Sequence, residues 1–282
     1  MAGMKEIKKR IKSFKNTQQI TKAMKMVAAS KLRQVQPYVA EARPYAEKLQ
    51  EVLGRAAAKS DYTHPLLEQR AVKKIGYVVV TGDRGLCGGF NSNIMRLTEH
   101  KIKASSVESL LLTVGKKGGE YFRFRKYNIV EAYTDIGDKP TYSQGKELAG
   151  RIMKLYEEGT FDEVYISYTK FKSAITQEPI VQKLLPVEPP TDMEGIKADY
   201  IYEPSAGSVL KTLLPRYVET LVFRALLESK TSELGARMTA MSSATDNANE
   251  MIAKLTLSFN RARQAAITSE ISEIVAGANA LN

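Results

Sequence analysis

From Ala28 onward, apolar residues recur at alternating steps of four and three: Ala28, Leu32, Val35, Val39, Ala42, Ala46, Leu49, Leu53 and Ala56. A seam sustained over about four heptads predicts a helix built to pair with another helix. Upstream, Met4, Ile7, Ile11 and Phe14 keep the same spacing. Between the two runs the register meets Gln18, Thr21 and Lys25, while Ile20, Met24 and Val27 form a shifted stripe. That shift predicts a face turned toward a second partner. The C-terminal third repeats the pattern through Leu234, Met238, Met241, Thr245, Ala248, Ile252, Leu255, Phe259, Ala262 and Ala266. The seam then moves by one position to Ile267, Ile271, Ile274, Ala278 and Leu281.

Rise per residue predicts a C-terminal helix of roughly 110 Å and an N-terminal one of roughly 80 Å. Pro37 and Pro44 interrupt the first pattern, and an interior proline costs about 3 kcal/mol. The seam nevertheless keeps its phase through both, and each buried Leu or Val contributes about 1.5–3 kcal/mol. One helix bent near the prolines is expected, with two helices and a short loop as the alternative. Pairing of the two chain ends with each other, antiparallel, is the economical arrangement; homodimerisation through each seam is the other.

Between the ends, the periodicity alternates. Ile75–Thr81, Leu110–Val114 and Ile129–Tyr133 read as strands, separated by helical runs near 91–103 and 117–126. A third helix over Ser143–Glu157 precedes Val164–Phe171 and Ile175–Leu185, which read as a closing hairpin. Alternating β and α units predict a mostly parallel, nucleotide-fold-like sheet. The expected fold is therefore α/β: a long antiparallel two-helix coiled coil with an inserted βα-repeat domain. Its parts are a coiled-coil helix over 1–57, a globular domain over 70–200, and a coiled-coil helix over 208–282.

Charge sharpens this picture. The net charge is +11, and between Lys5 and Arg33 ten Lys or Arg residues face only Glu6. From Gln264 to the end the only charges are Glu270 and Glu273. One end is strongly basic and the other nearly uncharged. A basic surface suits acidic protein partners, an anionic membrane surface or nucleic acid. The opening residues are Lys-rich without an apolar run, so no signal peptide is expected. One cysteine, Cys87, excludes an internal disulfide and suits a reducing compartment.

The glycine-rich loop Gly82–Gly89 follows the first strand but fits neither G-x-x-x-x-G-K-[ST] nor G-x-G-x-x-G. No nucleotide, cofactor or metal site is expected. The loop reads instead as a sharp turn presenting Asp83 and Arg84 to a partner. Cys87 with His64 or His100 carries no nucleophile signature, and a structural role is expected. Binding of nucleic acid by the basic helix is the alternative function, though no recognition motif accompanies it.

Several stretches together resemble one family. Lys5–Ser13 and Ile20–Lys31 resemble the N-terminal helix of the gamma subunit of the bacterial F-type ATP synthase. Thr81–Asn91 resembles its loop after the first strand. Arg237–Asn247 and Ala262–Glu270 resemble its C-terminal helix, and Ile267-Thr268-x-Glu270-x-x-Glu273-x-x-x-Gly277-Ala278 matches the family signature. The resemblance implies a non-catalytic rotor shaft inside a ring of three alpha and three beta subunits. Its α/β domain would sit with the epsilon subunit on a membrane ring of c subunits. The resemblance places Met24 near the beta subunits and Arg84 in a loop contact to beta. It assigns Arg263, Gln264, Thr268 and Glu270 to the segment engaging the head, and Tyr200 and Tyr202 to the foot against epsilon and the c ring. A peripheral position on the cytoplasmic face of the bacterial plasma membrane is expected, without the thiol switch of chloroplast relatives.

Overall fold

The computed structural model describes residues 2–58, 64–188, 202–203 and 205–280. Two long helices dominate it, α1 over Ala2–Ala58 and α5 over Ala206–Ala280. Pro37 and Pro44 both lie inside α1, which continues through them without a loop. The structure divides into two compact units.

The first unit brings residues up to Ala28 together with those from Met238 onward. Its helices run antiparallel: Gln18 bonds Asn249, Thr21 meets Thr245 and Lys25 reaches Ser242, pairs whose numbers add to 266 or 267. Thr21 is buried, and the flanking Ile20 and Val27 are exposed by 60% and 54%. The seam thus runs on through Thr21, while the shifted stripe of Ile20, Met24 and Val27 lies outside it. Polar residues hold the seam in phase, and apolar residues face solvent beside it.

The second unit, Ala29–Arg237, is a three-layer α/β domain. Its strands are β1 (Lys74–Val80), β2 (Glu108–Val114), β3 (Ile129–Tyr133), β4 (Glu163–Phe171) and β5 (Gln177–Leu185). They lie in the order β3-β2-β1-β4-β5, parallel except for the β4–β5 hairpin. The helices between them are α2 (Phe90–Ala104), α3 (Lys116–Phe124) and α4 (Tyr142–Glu157).

Helices on both faces bury both sides of the central strands, which explains the unbroken apolar run of β1. Val78 and Val80 point into one core with Leu112, Ile166, α4 and the beginning of α5, where Leu49, Leu53 and Ala56 of α1 also pack. Tyr77 and Val79 point into the other with Leu111, α2 and Phe122 of α3. The α4–α5 contact is close: a Cβ on Gly145 would lie 2.8 Å from Cβ of Phe223. The start of α4 carries a full capping box, Thr141 with Gln144.

Candidate partner interfaces

The buried seam positions Ala28, Leu32, Val35, Val39, Ala46, Leu49, Leu53 and Ala56 fall where the heptad spacing puts them. In the second unit a buried carboxylate joins the helices to the sheet. Glu228 of α5 accepts from Nε of Arg43 on α1 at 3.2 Å and from the Phe171 amide at the end of β4 at 3.2 Å. Arg43 also donates to the Phe171 carbonyl at 2.5 Å. Arg224, one turn before Glu228, lies 3.7 Å from the same carboxylate and reaches the Tyr168 hydroxyl at 3.4 Å. Burying a charge is tolerated only with such partners.

The glycine-rich loop is held from behind. Gly82 donates its amide to Oδ1 of Asn91 at 2.8 Å, and Arg237 donates to the Gly85 carbonyl at 3.2 Å. Arg237 also pairs with Glu233 at 2.7 Å, and Lys230 links Glu233 to Asp138. Asp83 turns inward and accepts from the Lys116 amide at 2.9 Å, capping the start of α3. Of the expected pair Arg84 is exposed and Asp83 half-buried; Asp83 serves the fold, because a carboxylate stabilises an uncapped helix N-terminus. Leu86, with φ of 62° and 64% exposure, stands beside Arg84 at the tip. Cys87 beneath them is buried, and burial pushes its thiol pKa up, away from reactive thiolate character.

The expected contact residues fall in three places. Arg263, Gln264, Thr268 and Glu270 are all exposed on one stretch of α5, where the Thr268 hydroxyl donates to the Gln264 carbonyl at 3.0 Å. Met24 is half-buried on α1 in the same unit. Arg84 and Tyr202 belong to the other unit, Tyr202 half-buried against its larger core. Tyr200 lies outside the described residues, as does most of the Pro-rich connector.

A further feature concerns the end of α5. In the register set by Thr21 and Thr245, Ala2 faces a residue near 265, so the helix beyond Ala266 has no counterpart on α1. Ile267, Ile271, Ile274 and Val275 there are exposed by 48%, 57%, 72% and 52%. Their spacing continues a seam in the sequence, and no described residue of α1 lies opposite it. Contiguous exposed aliphatic surface of this kind marks an interaction site.

Comparison with known proteins agrees with this arrangement. A family model described as ATP synthase matches residues 3–281. The ATP synthase gamma chain of Moorella thermoacetica is 57% identical over 282 residues, covering 100% of both chains. That of Desulfitobacterium hafniense is 55% identical, again over 100% of each. Among solved structures, a central stalk and c-ring structure of the Tetrahymena thermophila mitochondrial ATP synthase shares 26% identity and a TM-score of 0.62. It covers 80% of this chain and 99% of that one. A Euglena gracilis mitochondrial ATP synthase chain, at 17% identity and TM-score 0.71, shares the fold over 99% of this chain and 95% of its own.

Proposed function

This chain belongs to the ATP synthase gamma-chain family, and we propose that it turns as the central shaft of that complex, carrying torque between the membrane c ring and the catalytic alpha and beta subunits. The observation that carries the reading is a two-helix coil whose longer helix ends in an exposed, nearly uncharged stretch. Such a tip turns inside an apolar sleeve without breaking ion pairs at each step. The basic helix below it attracts successive acidic faces at long range, an interaction that does not lock one angle.

In this reading three alpha and three beta subunits surround the coil, while epsilon and the c ring hold the foot. Arg263, Gln264, Thr268 and Glu270 engage the head, Met24 and Arg84 approach beta, and Tyr200 and Tyr202 belong to the foot. The chain itself is a mechanical component, and catalysis belongs to the surrounding ring. No described helix is long and apolar enough to cross a membrane. Attachment to the cytoplasmic face of the bacterial membrane is then made through the c ring. The nucleic-acid alternative gains nothing from the relatives.

Reconstitution tests the reading. Mixed with alpha and beta subunits, the chain should give one shaft per ring and ATP-driven rotation, whereas the isolated chain should show no turnover. Failure to enter the ring, or steeply salt-dependent binding to DNA or RNA in its place, would overturn it.

A further inference from the structure

The most exposed large apolar side chain among the described residues is Phe124, at 86%, in the last turn of α3. Arg123, Arg125 and Lys126 surround it in sequence, and all three are exposed. Lys126, with φ of 62°, turns the chain out of the helix. The neighbouring helix adds to this surface. Glu99 of α2 accepts from the Tyr121 hydroxyl at 2.6 Å and pairs with Lys103 at 2.9 Å, while Arg125 lies 3.7 Å from the same carboxylate. Arg125 also stacks over the Tyr121 ring, its guanidinium carbon 3.7 Å from the centre. Arg96, about one turn before Glu99, is exposed as well. Cations thus border one bare aromatic ring, and the carboxylate among them is turned inward, its side chain 14% exposed.

The patch lies at one edge of the domain. α2, α3 and α4 each run back from the end of a strand, so their last turns share the edge at which the parallel strands begin. α5 passes the first turn of α4 at Phe223 and the end of β4 at Glu228, so its start lies toward that same edge. There the proposed function puts the foot, with Tyr202 just before α5, against the membrane c ring.

A helix C-terminus favours nearby cations, which accounts for a lysine or arginine there but not for a bare phenylalanine among them. An aromatic ring flanked by long cationic side chains suits an anionic bilayer surface. The ring enters the headgroup layer while guanidinium and ammonium groups meet phosphates. Lipids are also fluid, and the surface they form is the same in every direction. A patch carried round by the shaft stays attracted to it at every angle and is locked at none, unlike a patch facing a fixed acidic protein.

We infer that this end of α2 and α3 binds anionic lipid headgroups beside the rotor's foot, with Arg123 and Lys126 on phosphates and Phe124 among the headgroups. The inference rests on the proposed function, which sets the orientation of the foot.

The test uses the chain assembled with alpha and beta subunits, so that the ring covers the basic stretch Lys5–Arg33. Co-sedimentation is measured with vesicles of phosphatidylcholine alone and of equal parts phosphatidylcholine and phosphatidylglycerol. Wild type should bind the mixed vesicles and not the neutral ones. R123Q/K126Q should bind about twentyfold more weakly and F124S about fivefold, with ATP hydrolysis unchanged in both. K146Q/K154Q removes the same charge from exposed positions of α4, on the opposite face of the sheet, and should bind as wild type. Equal losses in the two double variants would mean a response to net charge alone and overturn the inference. Undiminished binding by R123Q/K126Q or by F124S, or equal binding to neutral vesicles, overturns it too. A wild-type complex that assembles and hydrolyses ATP but ignores the anionic vesicles defeats this inference alone and points to an acidic protein as the occupant. Failure of the wild-type chain to enter the ring defeats the proposed function and this inference together.

Discussion

The side-chain hydroxyls of Thr21 and Thr245 lie 2.8 Å apart, 224 positions distant in sequence, at the centre of a polar layer in the two-helix unit. Gln18 with Asn249 and Lys25 with Ser242 flank them. A polar layer in an otherwise apolar seam fixes register, because any slip strands its hydrogen-bonding groups against apolar neighbours. In a C87A background, T21C/T245C should therefore oxidise to a disulfide within one polypeptide. Non-reducing electrophoresis and mass spectrometry read the result; cross-links formed only between chains would show that the register is wrong.

Replacing Glu228 by alanine should destabilise the second unit by about 3 kcal/mol, since it leaves Arg43 and the Phe171 amide facing an emptied buried site. Glu228→Gln, which keeps an acceptor for the amide, should cost less. Urea unfolding followed by circular dichroism measures both. Equal midpoints for wild type and E228A would mean that the node contributes nothing.

Gly115 adopts φ of +95°, and a Cβ there would lie 2.2 Å from the Thr81 carbonyl oxygen. G115A should cost more than 2 kcal/mol or abolish folding, whereas G150A, in the middle of α4 with nothing within 4 Å, should stabilise by about 0.5–1 kcal/mol. The two alanine variants are thus predicted to move the melting temperature in opposite directions.

Hydrogen bonds from Tyr121, and then Lys103, hold the Glu99 carboxyl down to a pKa of about 2. A carboxyl with depressed folded pKa stabilises above its unfolded value, and that contribution disappears as pH falls through the folded one. The stability difference between wild type and E99Q should be full near neutral pH and shrink between about pH 4.5 and 2. A difference that stays constant across this window would contradict the assignment.

Deleting residues 267–282 should leave the Tm of the isolated chain within about 1 °C of wild type, because the described side chains removed are exposed. In the assembled complex the same deletion should lower torque and the coupling of hydrolysis to rotation. Full torque in a single-molecule assay would show the tip to be dispensable. Reversing the charges of Lys5–Lys25 should weaken assembly or coupling most strongly at low salt.

Much of this was legible before any coordinates. Heptad spacing revealed both long helices because apolar side chains at a and d positions have nowhere else to go than into a seam. The strands of the middle domain were readable for the same reason, with β3 matching at both ends. Apolar counting failed where polar residues fill the seam: Thr21 and Gln18 looked like a break in phase and are in fact its continuation. Asp83 looked like a surface ligand because sequence does not show that the Lys116 amide lies within its reach. The Arg43–Glu228 pair was invisible, since nothing local links positions separated by 185 residues. Strand order was likewise hidden, since alternation of β and α implies parallel pairing but not which strands neighbour.

The overhang of α5 past its companion has one more implication. An unaccompanied helix of about 15 residues is only marginally stable in water. The axle's last turns therefore draw part of their stiffness from the bearing around them, so wear in the bearing, by mutation of its lining, would soften the axle as well.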